Sequence, residues 1–292
     1  MSFQVTVATV QTYKANAEQL LQQMDSRLMG AVDVKSDYVG KAAKIVEQVG
    51  QVAMRKRTVR HGDVVPSNTP HDARWIHPED YDIADYVDDQ DKLRMLIDPT
   101  GLYAQNFKSA AMRQLDDLIL NAHFATAFTG ENGTTGITWA AFIASNPTHS
   151  IAAGGTGLTV AKLIDARTAF RKAEVPDDEP LFMALTAEEE KDLLTEIQVV
   201  NTDYNDRAVL VDGKVKSFMG FNFLHSERVL LSGTDRRIPA WAKSGIHCGI
   251  WQDVYTSVDK IAAKGKTWQI YTCLTANATR TQEKKVVEVL CA

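Results

Sequence analysis

The chain has 292 residues, 45% of them hydrophobic and 24% charged, with a formal net charge of −5. That length and apolar content suffice for one large core or two modest ones, and the acidic balance excludes a protein whose main task is to grip nucleic acid, which needs clustered Lys and Arg. Three widely spaced cysteines, Cys248, Cys273 and Cys291, form neither a disulfide framework nor a Cys-x-x-Cys metal site and point to a reducing compartment. No basic n-region precedes an apolar core at the N-terminus, and no apolar run approaches the roughly 18 residues of a membrane span. A soluble intracellular product with no membrane partner is expected.

Residues 16–29, "NAEQLLQQMDSRLM", place Leu20, Leu21, Met24 and Leu28 at helical spacing and predict a short amphipathic helix. Residues 41–65 then separate valines with polar residues around a basic cluster, Arg55, Lys56, Arg57 and Arg60, with His61 adjacent. "PSNTP" at 66–70 marks a turn or an exposed tip. The return segment reverses the charge: Glu79, Asp80, Asp82, Asp85, Asp88, Asp89 and Asp91 occur with no Lys or Arg between residues 79 and 91. Opposite patches on one molecule pair head to tail between identical subunits, and such contacts close into rings. One surface pair contributes only about 0–1 kcal/mol, but repetition around a ring fixes register and orientation. The basic four and the acidic residues from Glu79 to Asp89 are therefore the candidate inter-subunit contacts.

Asp98-Pro99 supplies an N-cap and a proline at the first helical position. Phe107, Ala111, Leu115, Leu118, Ile119, Ala122 and Ala125 then form one stripe, predicting a long helix over 99–128 that ends near Thr129-Gly130. "TGENGTTG" and "NPTHSIAAGGTG" read as loops. After Gly157 the texture is α/β. "LTVAKLIDARTAFRKAEV" is an amphipathic helix stopped by Pro176, "EPLFMAL" a buried strand, and "TAEEEKDLLTEI" a helix with a Thr cap and an acidic first turn. Strands flank an Asp212-Gly213 turn. Residues 246–261, "IHCGIWQDVYTSVDKI", carry helix and strand signals together, and 267–291 read as two strands joined through "NATRTQEKK".

Several short motifs invite chemistry. Gly265-Lys266-Thr267 matches the end of a P-loop, but Lys260 stands where the first glycine is needed. Trp268 to Leu274 alternate as a strand does, so no helix N-terminus meets a phosphate, and the tripeptide reads as a turn into a strand. The glycines of "AAGGTGLTVAKL" precede a helix, yet no strand precedes them and no acidic partner follows; a flexible connection is expected. His61, Asp63, His71, Asp72 and His77 have no i, i+4 pair, and the carboxylates of 79–91 lack an Asp-x-Asp-x-Asp-Gly loop, so both read as solvated residues. Ser226 and His225 are adjacent in a predicted strand and so face opposite ways, and Gly-x-Ser-x-Gly is absent. No enzyme activity, cofactor or metal is expected.

In order and approximate spacing, "QQMDSRL", "YVGKAA", "RHGDVVPSNTPHDARW", "DYDIADYVDDQDKLRMLIDPTGLYAQ", "MRQLDD", "AFTGENG", "VPDDEPLFMALTAEEEKDLL", "DYN", "VKSFMGFNFLHSERV" and "ATRTQEKKVVEVLC" resemble the major capsid proteins of tailed bacteriophages, from about residue 15 to the C-terminus. The resemblance implies an α+β Hong Kong 97-type capsid fold. Its layout would be an N-terminal arm (1–45), an extended hairpin loop (46–90), a peripheral domain with a long spine helix (91–150), an axial α/β domain (151–260) and peripheral return strands (261–292). It also implies a coat protein that self-assembles through hexamers and pentamers into an icosahedral shell. That shell encloses double-stranded DNA without sequence-specific binding, in a virion assembled in the bacterial cytoplasm. A separate scaffolding protein, a portal and an optional decoration protein are the implied partners. Some relatives join a Lys to an Asn between subunits; Lys56 lies in the extended loop, but no acceptor or catalytic carboxylate matches here. An encapsulin-like compartment of the same fold is the second reading, and a metal-dependent enzyme using the 61–77 His/Asp cluster a distant third.

Overall fold

The computed structural model describes residues 22–60, 63–64, 66–88, 100–196, 210–211 and 214–292. His61, Asp89, Asp91, the Asp98-Pro99 cap, the Asp212-Gly213 turn and the first part of the 16–29 helix lie outside the described residues. In chain order the strands are Asp33–Lys35 (β1), Ala43–Val49 (β2), His71–Ile76 (β3), Glu79–Val87 (β4), Ala127–Thr129 (β5), Thr135–Ile137 (β6), Ser150–Ile151 (β7), Leu181–Leu185 (β8), Leu210–Val211 (β9), Lys214–Val215 (β10), Ser217–Phe218 (β11), Phe221–His225 (β12), Leu231–Ser232 (β13), Asp235–Ala242 (β14), Ile246–Ile261 (β15), Thr267–Arg280 (β16) and Val286–Cys291 (β17). The helices are Thr100–Ala122 (α1), Trp139–Ser145 (α2), Val160–Lys172 (α3) and Ala187–Thr195 (α4). No helix among the described residues is long and apolar enough to cross a membrane.

Two sheets carry the body. A four-stranded sheet runs β1-β15-β16-β4, with the long β15–β16 hairpin at its centre and α1 packed on β16. A seven-stranded sheet runs β11-β12-β8-β14-β17-β7, with β13 added beside β14; α3 packs on β17 and α4 on β8. Apolar side chains from both sheets and their helices, among them Leu28, Leu115, Leu163, Met183, Trp241 and Ile246, form one contiguous core. A smaller four-stranded sheet, β2-β3-β5-β6, stands at the root of a long excursion over residues 50–70.

Local chemistry explains where the elements start and stop. Thr159 caps α3 by accepting the Lys162 N–H at 3.4 Å, and Thr186 with Glu189 forms the reciprocal capping box that opens α4. Helix α1 stops at Ala122, short of the Thr129-Gly130 predicted, although its apolar stripe continues in the sequence. The buried guanidinium of Arg280 donates to the carbonyls of Ala122 at 3.3 Å and His123 at 2.8 Å, placing a cation on the negative end of the helix.

One further expectation is corrected, and the structure adds detail in other segments. Residues 22–28 are not helical, and only a 3-10 turn follows at Met29–Ala31. The buried Asp116 carboxylate of α1 accepts hydrogen bonds from the Arg27 and Leu28 amides at 3.0 and 3.2 Å and from the Ser26 hydroxyl, so those amides turn toward it instead of along a helix. Residues 246–261 are one strand. Residues 246–250 are buried throughout, the outer part is half-exposed, and register shifts near Gln252 break the alternation between them. Pairing also divides the 46–90 and 261–292 segments. β2 and β3 make the hairpin root, whereas β4 joins β16 in the body; β16 lies in the four-stranded sheet, whereas β17 lies within the seven-stranded one.

Candidate inter-subunit surfaces

The excursion over residues 50–70 is anchored at its root. β2 and β3 pair from Ala43↔Ile76 to Val49↔His71, and the Gly50 amide donates to the Pro70 carbonyl at 2.8 Å. Arg74 is 1% exposed. Its Nε donates to the Thr281 carbonyl at 3.1 Å and its guanidinium pairs with Glu283 at 2.8 Å, while Gln48 donates to the same Thr281 carbonyl. On the other side the Asp72 carboxylate accepts the Gly130 amide at 2.9 Å, and the Trp75 indole donates to the Gly130 carbonyl at 2.8 Å. Burial pushes the Asp72 carboxyl up, but the hydrogen bonds from the Gly130 and Ala73 amides and the nearby Arg74 charge help hold the group below the usual range. The arm therefore leaves the body in a fixed direction.

Beyond Gly50 this support ends. Residues 51–60 have no regular structure until the bend at their end, and every one of them is exposed. Val52, Met54, Val59 and Val64 present apolar side chains to solvent, interleaved with the basic cluster. Arg57 Nε donates to the Val59 carbonyl at 3.2 Å. Arg55, Lys56 and Arg60 make no ion pair among the described residues. The described residues 51–60 thus bury almost nothing of their own, and exposed apolar patches rimmed by polar residues are in general typical of interaction sites.

The acidic residues are not on the arm's other limb. Glu79, Asp80, Asp82 and Asp85 lie on β4, and Asp88 follows it; among the described residues β4 is the edge strand of the four-stranded sheet and pairs with β16. All five are exposed. Thr275 donates to Asp80 at 2.7 Å, and Asn277 donates to Glu79 at 3.3 Å. Tyr81 also donates to Glu79, and burial with that neighbouring carboxylate raises the Tyr81 phenol to about 12. Asp82, Asp85 and Asp88 form no ion pair among the described residues. Among the described residues, Arg55, Lys56 and Arg60 therefore make no ion pair with this acidic row. One charge is on the arm, and the other is on the body.

The remaining motifs resolve as structure. In the glycine-rich loop, carbonyls rather than amides converge: Lys162 Nζ donates to the Thr156 and Gly157 carbonyls at 2.8 Å each and to the Leu290 carbonyl at 2.9 Å. Its cargo is an ammonium from its own chain. Gly265 and Lys266 adopt left-handed φ values of 62° and 59° and turn β15 into β16, as the alternation after them predicts. Ser226 is buried and accepts the Arg228 amide at 3.3 Å, whereas His225 faces outward to Glu227. His77 stacks edge-on against Phe128, and no group of three or more His, Cys, Asp or Glu among the described residues is placed to hold a metal. Sequence reasoning missed one polar chain. The Tyr38 hydroxyl lies 2.9 Å from His247 Nε2, and His247 Nδ1 lies 2.7 Å from Asp33, which ties the segment after β1 to β15. His247 lies over 200 positions from the other two, and no local pattern joins it to them.

A family model described as phage capsid protein matches residues 5–292. Comparison with curated proteins returns no match. Solved structures similar to this chain include the capsid asymmetric unit of cyanophage Pam1, with a TM-score of 0.75 at 13% identity, covering 98% of this chain and 97% of that one. The capsid of cyanophage P-SCSP1u gives 0.71 at 14% identity, covering 98% and 94%. The capsid of a native GTA particle gives 0.70 at 10% identity, covering 99% and 96%. At such low identity the likeness establishes a shared fold, the mixed α+β Hong Kong 97-type architecture, over nearly the whole chain.

Proposed function

This chain belongs to the phage capsid protein family and is a structural protein of the virion shell, not an enzyme; on that premise we propose how it builds the shell. Copies associate as hexamers and pentamers into an icosahedral wall around packaged double-stranded DNA. The four-stranded sheet with α1 serves as the peripheral domain and the seven-stranded sheet as the axial domain. The arm over residues 50–70 is the extended loop, and it crosses onto a neighbouring copy. There Arg55, Lys56, Arg57 and Arg60 meet the acidic row that includes Glu79, Asp80, Asp82, Asp85, Asp88 and Asp89. The observation that carries this reading is the contrast along one hairpin: a root locked by buried Arg74, and an arm whose described residues 51–60 are all exposed.

A wall with net charge −5 encloses DNA without gripping it. A separate scaffolding protein, a portal and an optional decoration protein complete the assembly. Replacing Arg55, Lys56, Arg57 and Arg60 together by Glu puts like charges at every arm contact. The variant should keep its circular dichroism spectrum and melting temperature but fail to close shells in negative-stain electron microscopy, under conditions where the unaltered chain does. Normal shells from the reversed protein would remove the charge-pairing scheme while leaving family membership untouched.

A further inference from the structure

Between β4, β16 and α1 the body has a small cleft of about 200 Å³, whose lining includes Tyr81, Asp82 and Ile83 of β4, Ala110 and Ala111 of α1, and Cys273 of β16. It exists because Ala110 and Ala111 stand on α1 where larger side chains would close the gap against β4 and β16. Cofactor and substrate pockets are generally about 300–1,000 Å³, so this one suits a single apolar side chain. One of its walls is the acidic edge strand β4, which contributes Asp82. Carboxylates on an edge strand repel indiscriminate strand pairing, and they also select what does approach: a cation-flanked segment.

Among the described residues, the arm carries a segment of that description. Met54 is 102% exposed, the most exposed of the large apolar residues among those described, and Arg55, Lys56 and Arg57 follow it directly. Methionine is unbranched and fills irregular gaps that Val or Ile cannot. We propose that Met54 of one copy inserts into the cleft between β4 and α1 of a neighbouring copy, with the adjacent cations set against Asp82 and Asp85. This inference rests on the shell-building reading above and adds the anchor that the charges alone do not supply. Surface charges set approach and register; a buried side chain supplies the hot spot.

The test is assembly of the full chain with its scaffolding partner, read as the protein concentration at which closed shells appear. Met54→Ala removes the knob and Ala111→Phe fills the cleft. Each should raise that concentration about tenfold or more with the monomer's melting temperature unchanged, and the double variant should be no worse than either single one, because the two changes abolish the same contact. Should Ala111→Phe fail to fold, Met54→Cys with Ala111→Cys decides. With Cys273, which lines the same cleft, replaced by Ser, a short bis-maleimide should then link the double variant into oligomers within shells, and neither single variant should link. Wild-type behaviour from both Met54→Ala and Ala111→Phe overturns the anchor and leaves the capsid reading standing. A block by Ala111→Phe with normal assembly of Met54→Ala means that another segment or the scaffold occupies the cleft, and the Met54 proposal falls. If the unaltered chain forms no shells, the reading beneath it falls as well.

Discussion

Arg280 shows how much of this fold hangs on single buried charges. It is fully buried, donates to the carbonyls of Ala122, His123 and Ile137, and its guanidinium lies 5.2 Å from the centre of the Trp139 ring. Desolvation draws its pKa down to about 10, so it remains charged at neutral pH, and the end of α1 depends on that charge. Removing it strands acceptors inside the core, and each orphaned group costs about 1–3 kcal/mol. Arg280→Met, which keeps the bulk and deletes the donors, should therefore destabilise by roughly 3 kcal/mol or more, seen as a melting temperature lower by about 6–12 °C. A shift under about 2 °C would mean that other groups hold the end of α1. Arg280→Lys, which keeps the charge but not the fork of donors, should fall between the two.

At the scale of elements, legibility followed period and length. α1 and the capped α4 could be read because apolar spacing and cap residues lie within a few positions of one another, and β16 because its alternation after Gly265 is regular. β15 could not: its inner residues are buried whatever face they take, so the strand period vanishes where burial is greatest. The charged arm and the charged strand were both visible, but not that they belong to different sheets, because pairing of β4 with β16 joins residues nearly 200 positions apart. The glycine-rich loop is the clearest case of a pattern whose meaning is tertiary. A Cβ on Gly157 would stand 1.7 Å from the Asp192 carboxylate, and Lys162 ties the loop to the Leu290 carbonyl of β17. The loop is thus the clasp of the C-terminal strand. Lys162→Met should release that clasp locally: amide exchange should rise across residues 153–158 and 287–292, while α1 keeps its protection. Uniform loss of protection would show instead that the loop is part of the global unfolding unit.

For the molecule as a whole, burial of neutral histidines sets an acid limit above the range in which the depressed carboxylates Asp72 and Glu179 act. Burial lowers the pKa of His123, His149 and His247, that of His123 to about 3. His123 donates from Nδ1 to the Ile119 carbonyl at 2.7 Å and packs edge-on against Trp241, while its Nε2 has no hydrogen-bond partner among the described residues. A proton added there would sit against an indole. The folded pKa lies below the unfolded value of about 6.5, so the unfolded chain binds more protons below that pH. The stability is fully present above pH 6.5 and is lost as pH falls toward the folded pKa. Depressed carboxylates such as Asp72 and Glu179 act later, because their contribution is present above their unfolded values and is lost only as pH falls through the lower folded ones. Between pH 6 and 5 the histidines therefore dominate. Each contributes a slope of up to about 1.4 kcal/mol per pH unit. Urea unfolding at pH 8, 6, 5.5 and 5 should show a plateau followed by a decline. His123→Gln, which cannot titrate, should lower stability throughout but flatten that decline by about one proton's slope. An unchanged slope would show that His123 is not among the groups that take up protons on unfolding in this range, and the acid limit would then rest with His149 and His247.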